Sequence, residues 1–195
     1  MPTDTRRMLT DCALRLFYRD GFRNVGLDQV LEQVGISKTA FYKHFESKDQ
    51  LMLAALEEQN ERLQQSFRER LRREGGRAAR DQLRALFDVV QQITENDEFQ
   101  GCMFINVSIE FPRAHEPAHV AAVQSKHAIE ELVFEIAERA GAAAPELLAR
   151  ELCLIMDGAY VGRQVGASTD TIHTARRLAE RVISAHLPDE ASRAG

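Results

Sequence analysis

The stretch LDQVLEQVGISKTAFYKHF, residues 27–45, decides how this chain is read. Its first eight residues have helical apolar spacing and stop at Gly35, a residue free to take the positive φ that a tight inter-helix turn needs. Ser37 follows as an N-cap for a second short helix over 38–45. Val30 and Val34 before the turn, with Ile36 and Phe41 after it, can pack the two helices together. Two short helices joined in this way are a helix-turn-helix, which reads DNA with polar groups near the start of its second helix. Lys38, Thr39, Tyr42, Lys43 and His44 supply such groups. A lysine donates to guanine acceptors or phosphate, a threonine offers a hydroxyl or a methyl, and Tyr42 and His44 suit phosphate oxygens. Phe41 and Phe45 are expected in the core. Lys48 stands where a third helix opens, and its charge and the free N–H groups there both favour phosphate. Gly26 can cap the first short helix but brings no hydroxyl.

Upstream, Met8, Leu9, Cys12, Ala13, Leu16 and Phe17 form an apolar stripe at helical spacing, with Thr3 or Asp4 as the expected cap and Gly21 as the stop. Downstream, Ser47 or Lys48 opens a long helix with Leu51, Leu56, Leu63, Phe67 and Leu71 on one side, running into Gly75-Gly76, the clearest linker signal. Leu83, Leu86, Phe87, Val90 and Ile93 mark the next helix. The segment 102–111 alternates like a strand, but it has no strand partner and would leave its backbone unpaired, so a helix is expected. Pro117 opens a helix ending near Gly141, and Pro145 one ending near Gly166. Thr169 or Asp170 caps the last, with Ile172, Leu178, Val182 and Ile183 along one side. The expectation is an all-α protein of about nine helices, divided into a DNA-binding domain over 1–48 and a helical domain over 49–195.

Composition agrees with a folded chain, 44 % hydrophobic with a net charge of −5. The acidity is uneven. Residues 1–50 carry eight Lys/Arg against seven Asp/Glu, and the rest carry seventeen against twenty-three. A local basic face can still hold phosphate, because screening confines charge effects to about 10 Å. No uninterrupted apolar run is long enough to span a membrane, and the first residues lack the apolar core of a signal peptide. Cys12, Cys102 and Cys153 are widely spaced, which argues against a disulfide framework or a zinc site and fits a reducing cytoplasm.

Gly21-Phe22, Val30, Gly35-Ile36-Ser37, Phe41-Tyr42-Lys43-His44-Phe45, Lys48 and Leu51 together resemble the DNA-binding domain of the TetR family of transcriptional regulators. The resemblance covers roughly residues 5–55. It implies a three-helix DNA-binding domain, the first part of a long connecting helix, and an all-helical C-terminal domain for dimerisation and ligand binding. Gly26 departs from the family's usual Thr or Ser, and Thr39-Ala40 from its usual Gly-Thr or Gly-Ser. A second echo, 101–106 followed by Glu110-Phe111, is similar to a segment beside the ligand cavity of many such regulators.

Candidate pocket residues are Phe87, Cys102, Phe104, Asn106, Phe134 and Tyr160, since apolar walls with a few polar groups suit a small molecule. Each could equally be packed core. Asn106, Ser108 and Glu110 do not share one helical face, so only some could point into a cavity. Cys102 could be a reactive thiol near a helix start or an inert one. His115, His119 and His127 with Glu116 hint at a metal, but Pro117 interrupts the spacing, so no metal or cofactor is expected. No catalytic triad-like motif is present, which argues against an enzyme. The segment 152–161 is apolar nearly all round, and Gly158, Gly162 and Gly166 form a smooth strip. With Leu152, Leu178 and Val182 they are the candidate dimer interface, rimmed by Arg163, Arg176, Arg177 and Arg181. The expected function is a homodimeric repressor released from a palindromic double-stranded operator by a small-molecule ligand. The alternatives are an activator, a ligand-independent regulator, or a helical adaptor.

Overall fold

The structure is a computed structural model and describes residues 2–166 and 170–187. The described residues contain nine helices and no strand: α1 (Pro2–Asp20), α2 (Leu27–Val34), α3 (Lys38–Phe41), α4 (Lys48–Gly75), α5 (Ala79–Thr94), α6 (Met103–Glu110), α7 (Pro117–Ala140), α8 (Pro145–Gln164) and α9 (Asp170–His186). The all-α expectation holds, and the alternating segment 102–111 is helical as argued. Helix α1 already begins at Pro2, so Thr3 and Asp4 lie within it. Thr169, one of the two caps expected for α9, lies outside the described residues.

The chain forms two compact units, one of Met1–Leu63 with Met103–Ser125, the other of Gln64–Cys102 with Lys126–Gly195. A single boundary at Lys48 therefore does not describe the packing, because α6 and the start of α7 belong with the N-terminal helices.

The first unit is built on aromatic packing. Phe17 stacks on Phe22 at 5.4 Å between ring centroids, and Phe41 on Phe45 at 5.8 Å, all four buried. Such pairs add stability beyond the area they bury. Helix α1 is tied to α4 by polar groups. The buried Thr10 hydroxyl donates to Glu58 at 2.8 Å, Arg62 pairs with Asp11 at 2.6 Å, and Arg6 pairs with Glu58 while lying over the Phe45 ring at 5.1 Å.

In the second unit α5, α8 and α9 pack on one another. Their interior includes Leu83, Leu86, Phe87, Val90, Leu148, Leu152, Met156, Ala175, Ala179 and Ile183. Helix α9 is pinned near its middle and at its C-terminal end: Arg176 pairs with Asp88 at 2.7 Å, and His186 lies 3.0 Å from Glu151. The expected linker at 75–76 is a tight corner. Gly76 takes φ 66, and its carbonyl accepts from the Gln82 amide at 2.7 Å. A Cβ on Gly75 would meet the Gln82 backbone at 2.6 Å, where neither partner can swing aside. Gly75→Ala is therefore expected to destabilise the protein by about 2–3 kcal/mol through overpacking. A urea titration checks this: the midpoint falls while the slope stays unchanged.

Candidate nucleic-acid interface

The helix-turn-helix is assembled by backbone rules. Gly35 sits at φ 78, and its N–H donates to the carbonyl of Leu31 at 2.8 Å while the N–H of Ile36 donates to the same carbonyl at 3.1 Å. This closes α2 with a left-handed residue only glycine adopts freely. Ser37 then opens α3, its hydroxyl accepting from the Ala40 N–H at 3.2 Å. Gly26 caps α2 through its carbonyl alone, in extended conformation. Helix α3 is shorter than the spacing suggests. Past Phe41 the chain continues as a turn, in which the His44 N–H donates to Phe41 at 2.8 Å, because it must bend into α4, where Ser47 caps the Gln50 N–H.

This geometry divides the segment into two faces. Val30, Phe41 and Phe45 are buried, and Val34 and Ile36 half-buried. Gly26, Ser37, Lys38, Thr39, Tyr42 and Lys43 are exposed and His44 is half-buried. Tyr42 is 57 % exposed although its ring edges Phe41 at 5.2 Å. Such an aromatic, near two lysines and a threonine in sequence, leaves a hydroxyl in solvent that can bond to a phosphate oxygen. Two of the lysines have partners. Lys38 pairs with Asp28 at 2.8 Å, and the hydrogen bond and charge of that carboxylate push the ammonium pKa up. Lys48 donates to the Phe22 carbonyl at 3.0 Å and lies 5.7 Å from the Phe17 ring centroid. It keeps two further N–H donors.

Residues 9–55 match the profile described as bacterial regulatory proteins of the tetR family, and residues 79–179 match the tetracyclin repressor-like C-terminal domain. The chain belongs to the TetR family. It is therefore a transcriptional regulator that binds DNA through its helix-turn-helix. It is 25 % identical over 88 % of its length to 89 % of the HTH-type transcriptional regulator YjdC of Escherichia coli. It is 31 % identical over 71 % of its length to 62 % of the HTH-type transcriptional activator FasR of Mycolicibacterium smegmatis. Its fold matches the crystal structure of a TetR-family transcriptional regulator from Streptomyces coelicolor with TM-score 0.83 and 25 % identity, covering 95 % of this chain and 97 % of that one.

The pocket candidates of this TetR-family chain fall on both sides of the division. Phe104 and Asn106 lie in the first unit, Phe104 buried and Asn106 half-buried. Phe87, Cys102, Phe134 and Tyr160 lie in the second. There Phe87 and Tyr160 are buried, and Cys102 and Phe134 half-buried. Tyr160 packs on Phe99 with 5.9 Å between centroids, a contact not visible in the sequence. Burial raises its pKa, with the nearby Cys102 adding to the shift. Burial pushes the Cys153 thiol up to about 12 and also raises that of Cys12, so both are protonated at neutral pH, as their apolar stripes imply. Lys126 and Asp157 form an ion pair next to Cys153 that the sequence did not suggest. Neither Ser108 nor Glu110 acts as pocket polarity. The Ser108 hydroxyl donates to its own helix, at Ile105, and Glu110 binds the backbone after α1.

The interface candidates need one correction. Leu152 is completely buried, a core residue among α5, α8 and α9. The open side of α8 is its neighbour stripe: Leu147, Leu154, Gly158, Val161 and Val165, with Leu154 74 % and Val165 75 % exposed. Gly158 and Gly166 have open space where a Cβ would stand. Gly162 is half-buried, and on α9 Leu178 is exposed and Val182 half-buried. Among the described residues no helix is long and apolar enough to cross a membrane.

Proposed function

We propose that this protein is a homodimeric cytoplasmic repressor that binds a palindromic operator and is released by a small molecule. The observation that carries the reading is the two-faced helix-turn-helix: Phe41 and Phe45 anchor it below, while Ser37, Lys38, Thr39, Tyr42 and Lys43 stand exposed above. Lys38, Thr39 and Lys43 are assigned to base edges and phosphate. Gly26, Ser37, Tyr42, His44 and Lys48 are assigned to the phosphate backbone, Lys48 through the donors it does not spend on Phe22. Dimerisation is assigned to the outward faces of α8 and α9, with Gly158, Gly162, Gly166, Leu178 and Val182 joined by Leu154, Val161 and Val165. A two-fold dimer presents two α3 helices and so reads an inverted repeat. The ligand is assigned to the second unit, near Phe87, Cys102, Phe134 and Tyr160, where a few kcal/mol of coupling suffices to switch a promoter. The long α4 is the lever, since the division between the units falls within it.

Selection of bound sequences from random duplex DNA tests the reading. Enrichment of an inverted repeat supports it, and failure to enrich any sinks it. Lys43→Ala should weaken binding and lower the slope of log affinity against log salt by about 1, the loss of one phosphate contact. An unchanged slope removes Lys43 from the contact set. The likeness to the transcriptional activator FasR favours a second reading in which the bound dimer raises transcription. A reporter downstream of the selected sequence separates the two by the sign of the change on deleting the regulator.

A further inference from the structure

Glu110, the last residue of α6, does something its place in an apolar segment does not announce. Its carboxylate accepts two backbone N–H groups, from Phe22 at 3.2 Å and Arg23 at 2.9 Å, in the turn that follows α1. Those donors lie in a turn where Gly21 takes φ 93, and a carboxylate is the strongest acceptor a side chain can offer them. Arg23 returns the grip. Its Nε donates to the Glu110 carbonyl at 2.7 Å, a terminal nitrogen pairs with Glu116 at 3.2 Å, and the guanidinium lies 4.5 Å from the Phe111 ring centroid. A cation beside the reading head is thereby occupied within the protein. The other polar group of Phe22, its carbonyl, accepts the Lys48 ammonium at 3.0 Å where α4 begins. One buried residue thus holds the end of α6 through its N–H and the start of α4 through its C=O, and its ring is stacked on Phe17.

The geometry points to Glu110 as a positioning residue for DNA recognition: from α6 it fastens the turn between α1 and α2, and so sets the reading head against the start of α4. This rests on the reading that the exposed face over residues 37–44 contacts DNA. A change that withdraws the end of α6 would release the turn and loosen the head without touching any DNA-contacting side chain.

The test is Glu110→Gln, nearly isosteric, whose amide can accept from one N–H but presents its own NH2 to the other. The probes are a duplex selected by the wild-type protein and a random-sequence duplex of equal length. Affinity for the selected duplex should fall roughly tenfold, about 1.4 kcal/mol. Affinity for the random duplex and its salt slope should stay within about twofold, because the phosphate contacts remain. Glu116→Gln, which weakens the outer partner of Arg23 and an acceptor of the Arg113 N–H but leaves the Glu110 carboxylate in place, should change neither. A Glu110→Gln protein that binds the selected duplex as the wild type does overturns the proposal, as does one that loses both duplexes equally. Backbone hydrogen exchange gives a readout that needs no operator: protection should fall over residues 22–34 and stay intact in α4. Unchanged exchange over that segment overturns the proposal even if no sequence is enriched, a result that would by itself count only against the sequence-specific reading. Should Glu110→Gln not fold, Glu110→Asp serves in its place. It keeps the charge but falls short by a methylene, and the same outcomes decide.

Discussion

Phe41→Ala is expected to destabilise the protein by about 3–5 kcal/mol and to abolish operator binding. The ring is completely buried, stacked on Phe45 and edged by Tyr42, so its loss leaves a cavity under the face that would meet DNA. Whole-domain stabilities are about 5–15 kcal/mol, so the loss is a large share of what holds the head together. Helix α3 is only four residues long and cannot hold its shape by itself. Tyr42→Ala is the contrast. That ring is mostly exposed, so stability should move by less than about 1 kcal/mol while operator affinity falls. Denaturant unfolding and DNA titration of both variants check the pair. A Phe41→Ala protein that unfolds at the wild-type midpoint would show that the ring is not the anchor.

Leu154→Glu is expected to raise the dimer dissociation constant at least a hundredfold, about 2.8 kcal/mol, and to weaken operator binding with it. Leu154 is the most exposed large apolar residue of the α8 stripe apart from Val165, and Gly158 beside it lets a second helix approach closely. A two-fold interface contains the substitution twice, so the cost is doubled. Leu152→Ala, two residues away, should behave in the opposite way: a loss of about 2–5 kcal/mol of stability at unchanged dimer affinity. Sedimentation at several protein concentrations separates the two. A Leu154→Glu protein that stays dimeric at the wild-type concentration would move the interface off α8.

The three N-terminal helices were legible because local rules build them. A glycine at φ 78, a serine cap and apolar residues at helical spacing act over a few positions each, so neighbours in sequence carry the information. The burial of Phe41 and Phe45 against the exposure of Tyr42 and Lys43 follows from the same periodicity. Helix α8 was harder. It is apolar on nearly every side, so periodicity could not tell Leu152 from Leu154; only the positions of α5 and α9 assign one to the core and the other to the surface. The packing units depart from a division at Lys48 for a related reason. Nothing within 103–125 signals that it joins the unit of the N-terminal helices, because that signal resides in backbone groups of residues 22 and 23.

By itself the sequence determined the all-helical class, the reading head and the side chains available to it, since those depend on short-range conformational preference. Tertiary structure decided which of those side chains are already engaged: Lys38 on Asp28, Lys48 on the Phe22 carbonyl, Arg23 on Glu110 and Glu116. It also decided that Glu110 belongs to the turn after α1 rather than to a pocket. The partners here are main-chain atoms and charges far apart in the chain, and a backbone donor looks the same in every sequence until folding brings an acceptor to it.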